Sequence, residues 1–129
     1  MYFVTIRDHI MIAHSLPRPT FGPAQGLHGA TYTIEATFTS EEVTEDQIVV
    51  DIGEARDVLR AIAASLDYAN LDEDARFSGA LTTTEYLARY IHQRLSDPFV
   101  GKFEGRLRVN LIESPVAEAG YEGPISRAM

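Results

Sequence analysis

The sequence predicts an α+β fold, with strand patterns at both ends of the chain and helical patterns between them. Two observations carry that prediction. Tyr32, Ile34, Ala36 and Phe38 alternate with Thr31, Thr33, Glu35 and Thr37, which is the period of two expected of a strand with one buried and one open face. Farther on, Ala55, Val58, Leu59, Ile62 and Leu66 recur at spacings of three and four, the apolar stripe of an amphipathic helix.

In chain order, residues 2–13 set Phe3, Thr5 and Arg7 against Tyr2, Val4 and Ile6 and predict a first strand. Residues 16–26 hold Pro17, Pro19, Gly22, Pro23 and Gly26, which no regular element tolerates, so they predict a loop. A second strand follows over 28–40, rich in Thr, Tyr, Ile and Phe. The acidic turn 41–46 leads to a short strand over 47–51, ended by Gly53. The first helix is predicted over 54–66. A second helix is predicted over 83–95, its start marked by Thr82 and Glu85 at capping-box spacing. A strand over 107–112 and a tail containing Pro and Gly close the chain, giving the order ββ(β)ααβ with no internal repeat.

At 129 residues and 14.3 kDa the chain suits one domain, 1–129, with a real hydrophobic core, and its 45% hydrophobic and 23% charged residues are those of a globular protein. A net charge of -8 argues against nucleic acid, which binds through clustered Lys and Arg, and against anionic membrane surfaces. The apolar runs fall short of the ~20 residues that span a bilayer. Arg7 and Asp8 interrupt the N-terminal apolar stretch, and no small-residue cleavage site follows, so the start reads as a strand rather than a signal peptide. With zero cysteines there is no disulfide, thiolate ligand or thiol nucleophile, which suits a cytoplasmic protein.

Five short segments arrive in a telling order: Ala13-His14-Ser15-Leu16 followed by Leu27-His28-Gly29-Ala30-x-Tyr32; Val50-Asp51-Ile52-Gly53; Leu66-Asp67-Tyr68-Ala69-Asn70-Leu71; Thr83-Thr84-Glu85-x-Leu87-Ala88; and Ile112-Glu113-Ser114 with Ala119 and Tyr121 beyond. Together they resemble the 6-pyruvoyl- and 6-carboxytetrahydropterin synthase family over nearly the whole chain. The resemblance implies the tunnelling fold, or T-fold. In it an antiparallel four-stranded sheet carries two helices on one face, and copies close a β-barrel, usually as a hexamer. It implies a ring pocket between subunits, so that backbone near Ile52 and Gly53 borders a neighbour's site. Asp51 itself suits the cap of the first helix.

The family's zinc is held by three imidazoles, matched here by His14 and His28, with Ala30 in the third position. Three protein ligands and one open position are usual for a catalytic zinc, so the expectation is no resident metal and no other cofactor. His14 and His28 are then hydrogen-bonded groups in a pocket wall. His9, five residues before His14, falls on the opposite face of a regular strand. The family's proton relay of a cysteine and an Asp-His pair falls at Ala24, Asp67 and Tyr68. A tyrosine with an ordinary pKa near 10 is a poor base at neutral pH, and Asp67 equally suits bracing the turn into Asn70. The family's ring-anchoring glutamate matches Glu113, whose carboxylate can accept two parallel hydrogen bonds from an amide N–H and the adjacent amine of a pterin or purine ring. Thr83, Thr84 and Glu85 suit both the helix cap and the border of the ring pocket.

Two functional readings follow. In the first, a homo-oligomer binds a pterin-like or purine-like ring through Glu113 and has lost the zinc-dependent lyase chemistry, any reaction falling to Asp67 and Tyr68. In the second, it is a family lyase whose missing groups come from His9, His92 or a neighbouring subunit. A third possibility, an oligomer without ligand, requires Tyr32 or Tyr68 to fill the pocket.

Overall fold

A computed structural model describes residues 1–125. Strands β1 (Tyr2–His14) and β2 (His28–Ser40) form a long antiparallel pair, followed by helix α1 (Ile52–Leu66), a two-residue strand β3 (Ala69–Asn70), helix α2 (Thr84–Ser96), and strands β4 (Arg106–Ser114) and β5 (Ala117–Pro124). The sheet order is β3-β1-β2-β4-β5. The four long strands are antiparallel to their neighbours, and β3 adds a short parallel edge beside Ile12 and Ala13.

The alternation read in the sequence is the alternation that packs. Tyr32, Ile34, Ala36 and Phe38 on β2 are buried together with Ile6, Ile10 and Ile12 of β1 and Leu107, Val109 and Leu111 of β4. Both helices cover this face, α1 over β1 and α2 over β4 and β5. They contribute Leu59, Leu66, Leu87, Ile91 and Leu95, all at most 1% exposed. Each such side chain removed from water contributes about 1.5–3 kcal/mol. The other face of the sheet is polar, with the Thr5 and Thr37 hydroxyls 2.8 Å apart and an Arg7–Glu35 ion pair of 2.6 Å across the same two strands.

Three expectations are corrected. Residues 47–51 form no strand. Gln47 has a φ of 65°, off the extended region, and the turn closes through Thr44 N–H to the Ile48 carbonyl at 2.9 Å. Val49 and Val50 are still buried, so their apolar run reflects packing without a ladder partner. The fourth long strand is instead β5, in the stretch read as a tail. Gly120 sits there opposite Asn110, where a Cβ would collide with the Val109 carbonyl. Pro124 lies at the end of an edge strand, where its missing N–H costs no ladder bond. Finally, the cap of α2 is Thr83, whose side chain accepts from Tyr86 N–H at 3.1 Å, and not Thr82, which is turned inward and only 3% exposed.

Candidate functional site

The strand register concentrates the chosen residues at one end of the sheet. His14 ends β1 directly opposite His28, which starts β2, and their rings lie 4.6 Å apart between centroids. Because side chains on a strand alternate, His28, Ala30 and Tyr32 share the face that looks toward the helices. Pairing of Ile112 with Thr33 brings the end of β4 alongside, and the β4–β5 register shifts between Ile112 and Ser114. A bulge re-aims the side chain it interrupts, here Glu113. The capped N-terminus of α2 supplies Thr83, Thr84 and Glu85 from above.

These elements enclose a cavity of about 500 Å³ bordered by His14, His28, Thr83, Thr84, Glu85 and Glu113. Ala24 also borders it, as does Tyr32. Leu16 and Phe21 form an apolar wall, held by a bond of 3.0 Å from Leu16 N–H to the Ala24 carbonyl. A larger cavity of about 660 Å³ lies at the far end of β1, against residues 47–53, but it holds no imidazole and Asp51 is its single carboxylate. The 500 Å³ cavity is where two imidazoles meet carboxylates and hydroxyls.

The imidazoles are oriented by backbone. His14, 2% exposed, places Nδ1 2.9 Å from the Thr82 carbonyl and 3.2 Å from its hydroxyl. His28 places Nδ1 2.8 Å from the Gly26 carbonyl. A carbonyl only accepts, so each neutral ring carries its proton on Nδ1 and its lone pair on Nε2. Burial pushes the His14 pKa down, and the neighbouring His28 pushes it the same way; the bond to Thr82 and the charges of Asp72 and Glu113 oppose the shift. Tyr32, 1% exposed, places its hydroxyl 3.3 Å from that of Thr84. Burial raises its pKa, the Thr84 bond opposes this, and the charges of Glu113 and Glu85 raise it further.

Asp67 and Tyr68 lie elsewhere. Asp67 accepts Met11 N–H at 2.8 Å, Tyr68 donates its N–H to the Met11 carbonyl at 2.6 Å, and β3 continues that pairing along β1. The aspartate thus braces the edge of β1, while Asn70 uses its own side chain to accept Asp72 N–H. Tyr68 is 81% exposed as a residue and its φ is 60°. Neither residue borders the cavity of its own protomer.

A zinc set fits these residues poorly. Two imidazoles face the cavity, but Ala30, opposite Ile12 on the same face, offers a methyl group. The His9 side chain is 76% exposed and lies 3.9 Å from Asp8, while His92 is buried beneath β5 with Nε2 3.1 Å from the Gly123 carbonyl. Neither borders the cavity.

Thr82 is the residue that sequence reasoning placed elsewhere, while Tyr32, offered as a side chain able to fill the pocket, borders it two steps from Ala30 and four from His28. Thr82 was read as a cap, and its contact with His14 spans 68 residues that no local pattern connects.

Comparison with known proteins bears on the family and the fold. A family model described as 6-pyruvoyl tetrahydropterin synthase matches residues 3–124. A 6-carboxy-5,6,7,8-tetrahydropterin synthase of Bacillus subtilis (strain 168) is 28% identical over 90 residues, covering 67% of this chain and 60% of the relative. The match thus spans less than two thirds of that enzyme's length. The structure of 6-pyruvoyl tetrahydropterin synthase from Caenorhabditis elegans superposes with a TM-score of 0.75 at 24% identity, covering 95% of this chain and 97% of that one. That from Plasmodium falciparum superposes with a TM-score of 0.77 at 16% identity, covering 96% and 98%. These superpositions establish the T-fold.

Proposed function

The chain belongs to the 6-pyruvoyl tetrahydropterin synthase family, and from that premise we propose that its pocket binds a pterin-like or purine-like ring through Glu113 without the family's zinc-dependent lyase chemistry. One observation carries this reading: Glu113, Thr83, Thr84 and Glu85 meet on one cavity with His14 and His28, while Ala24 borders that cavity and Ala30 stands opposite Ile12. The groups that the resemblance gives to the ring border one cavity, and alanines stand at two positions where the family's mechanism places a cysteine and an imidazole. Tyr68 stands where the relay has its histidine.

On this reading Glu113 accepts two parallel hydrogen bonds from the ring's amide N–H and exocyclic amine. Leu16 and Phe21 give its faces an apolar wall. Tyr32 hydrogen-bonds Thr84 and leaves room beside it, so the pocket is lined by this tyrosine rather than filled by it. Any proton transfer falls to Asp67 and Tyr68, reaching a pocket across an interface with a second copy. The open strand β5 and the outer edge of β1 are the surfaces that such an assembly, a hexamer in the family's pattern, would pair.

The test is calorimetry with neopterin and biopterin on the wild type and on Glu113→Gln. Binding that the substitution weakens supports the reading; no binding, or binding indifferent to the substitution, ends it. One observation favours the second reading, a zinc enzyme with substitute ligands. Both imidazoles have Nδ1 bonded to carbonyls, the orientation that metal-binding histidines usually adopt. Stoichiometric zinc in the purified protein, with triphosphate elimination from 7,8-dihydroneopterin triphosphate, would establish that reading.

A further inference from the structure

His92 takes no part in the cavity of His14 and Glu113, yet it is a buried imidazole at a joint of the fold. It lies where α2 covers β4 and β5 and is 1% exposed. Its Nε2 is 3.1 Å from the Gly123 carbonyl, and its ring stands edge-on to that of Tyr121, the centroids 4.8 Å apart. Gly123 and Tyr121 are two steps apart on β5 and so share the face turned to the helix. A Cβ at Gly123 would press on the Tyr121 ring, 3.2 Å away. One imidazole thus ties two positions of the edge strand to α2.

A carbonyl only accepts, so Nε2 carries the proton of the neutral ring. Nδ1 keeps its lone pair, with the Ser96 hydroxyl 3.5 Å away, one turn farther along α2. A second proton brings a full charge into this packed layer, and a buried charge without an opposite partner is costly. The charged groups that act on the ring are both cations: Arg106 from β4 and Arg89 from α2, the latter over the Tyr121 ring at 5.7 Å. Glu122, the carboxylate beside Tyr121 on β5, is engaged with Arg106 at 3.3 Å. Burial pushes the His92 pKa down, the Gly123 and Leu107 backbone opposes this, and Arg106 and Arg89 push it down further.

We propose that His92 is a pH-sensitive latch on β5: the neutral ring pins the strand to α2, and protonation in mild acid releases it. Once β5 lifts away, the imidazole meets water and regains its ordinary pKa of 6.5. The released state then binds more protons than the docked one below about pH 6.5, so docking is full above that value and weakens as the pH falls through it. β5 is an edge of the sheet, and the assembly proposed above pairs that edge, so the latch sets the pH range in which the edge stays intact. It does not depend on what the cavity binds.

Hydrogen exchange of the full chain, corrected for the intrinsic pH dependence of amide exchange, compares β5 amides bonded to β4 with amides in the middle of the β1–β2 ladder, away from His14. The opening of β5 should rise about tenfold from roughly pH 7.5 to roughly pH 5.5, the proton uptake of a freed imidazole, while the β1–β2 ladder changes far less. Ordinary carboxylates keep their charge over that window. His92→Gln keeps an N–H for the Gly123 carbonyl but does not titrate, and His92→Phe keeps a ring against Tyr121. In either, the rise should shrink to about twofold or less once the freed imidazole is gone. A rise that survives both substitutions overturns the latch, as does opening shared equally with the β1–β2 ladder, which is global unfolding. The wild type alone also decides: a His92 imidazole resonance that titrates near its ordinary value in the folded protein overturns the latch whether or not either variant folds.

Discussion

Two corners of the molecule descend from the same family pattern and are built differently. At the His14–His28 corner, groups from β1, β2, β4 and α2 converge on one cavity, and their hydrogen bonds run between side chain and backbone across long stretches of sequence. At the Asp67–Tyr68 corner, the carboxylate at the family's relay position is engaged in holding backbone, accepting Met11 N–H at the sheet edge. The first corner gathers polar groups of one protomer around a cavity. The second fixes a strand edge and presents an exposed tyrosine outward. The two corners are held by separate sets of hydrogen bonds, so a substitution at one need not disturb the other.

The largest effect expected from breaking this contrast is at Tyr32. Tyr32→Ala should destabilise the fold by about 3–5 kcal/mol in denaturant melts, the usual cost of truncating a fully buried aromatic. Tyr32→Phe, which loses only the bond to Thr84, should cost about 0.5–1.5 kcal/mol. Next comes Glu113→Gln, which should weaken ring binding by roughly 10–100-fold in calorimetry, the loss of a charge-assisted pair. Since Glu113 is exposed at a bulge, the melting temperature should stay near that of the wild type. A large fall in melting temperature would mean that the bulge, rather than the ligand, needs the carboxylate.

The fold was legible because its signals are local and periodic. The β2 alternation and the α1 stripe follow from apolar residues at fixed steps, and both became core. The strand expected over 47–51 failed because burial of Val49 and Val50 mimics a strand while Gln47 turns the backbone away. β5 was hidden by Gly120, Gly123 and Pro124, residues that weaken a strand pattern yet are tolerated on this edge and demanded at Gly120 by the close approach of Val109. At the site, His14, His28 and Glu113 were legible through their motifs. Thr82 was not, since its bond to His14 depends on how α2 docks, a tertiary event. The placement of Asp67 was half legible: bracing was foreseen, but toward Asn70 rather than Met11.

Asp67 gives the next test of the contrast. Asp67→Ala removes the acceptor for Met11 N–H and should cost about 1 kcal/mol, as for a partly exposed hydrogen bond. Asp67→Asn keeps an oxygen in place and should cost less than half of that. A structural brace tolerates the asparagine; a group that also moves protons in a neighbouring pocket does not, and any turnover found for the assembled protein should fall in Asp67→Asn with its stability intact.

The smallest effect is the most diagnostic. Tyr68 holds a φ of 60°, a left-handed conformation that costs an L-residue other than Gly roughly 1–2 kcal/mol, and the residue is 81% exposed, so packing within the protomer returns little. Tyr68→Gly removes that strain. It also adds backbone freedom to the unfolded chain, worth about 0.5–1 kcal/mol against the fold. The two partly cancel, and the net expectation is a protomer as stable as the wild type or more stable by up to about 1.5 kcal/mol in denaturant melts. An exposed tyrosine whose backbone is held at positive φ by its own bond to the Met11 carbonyl, beside Asp67's bond to Met11 N–H, fits a surface made for a second copy. Sedimentation of Tyr68→Gly should then show weakened assembly alongside an undiminished fold; a loss of several kcal/mol in the melt would instead make the tyrosine a structural part of its own protomer.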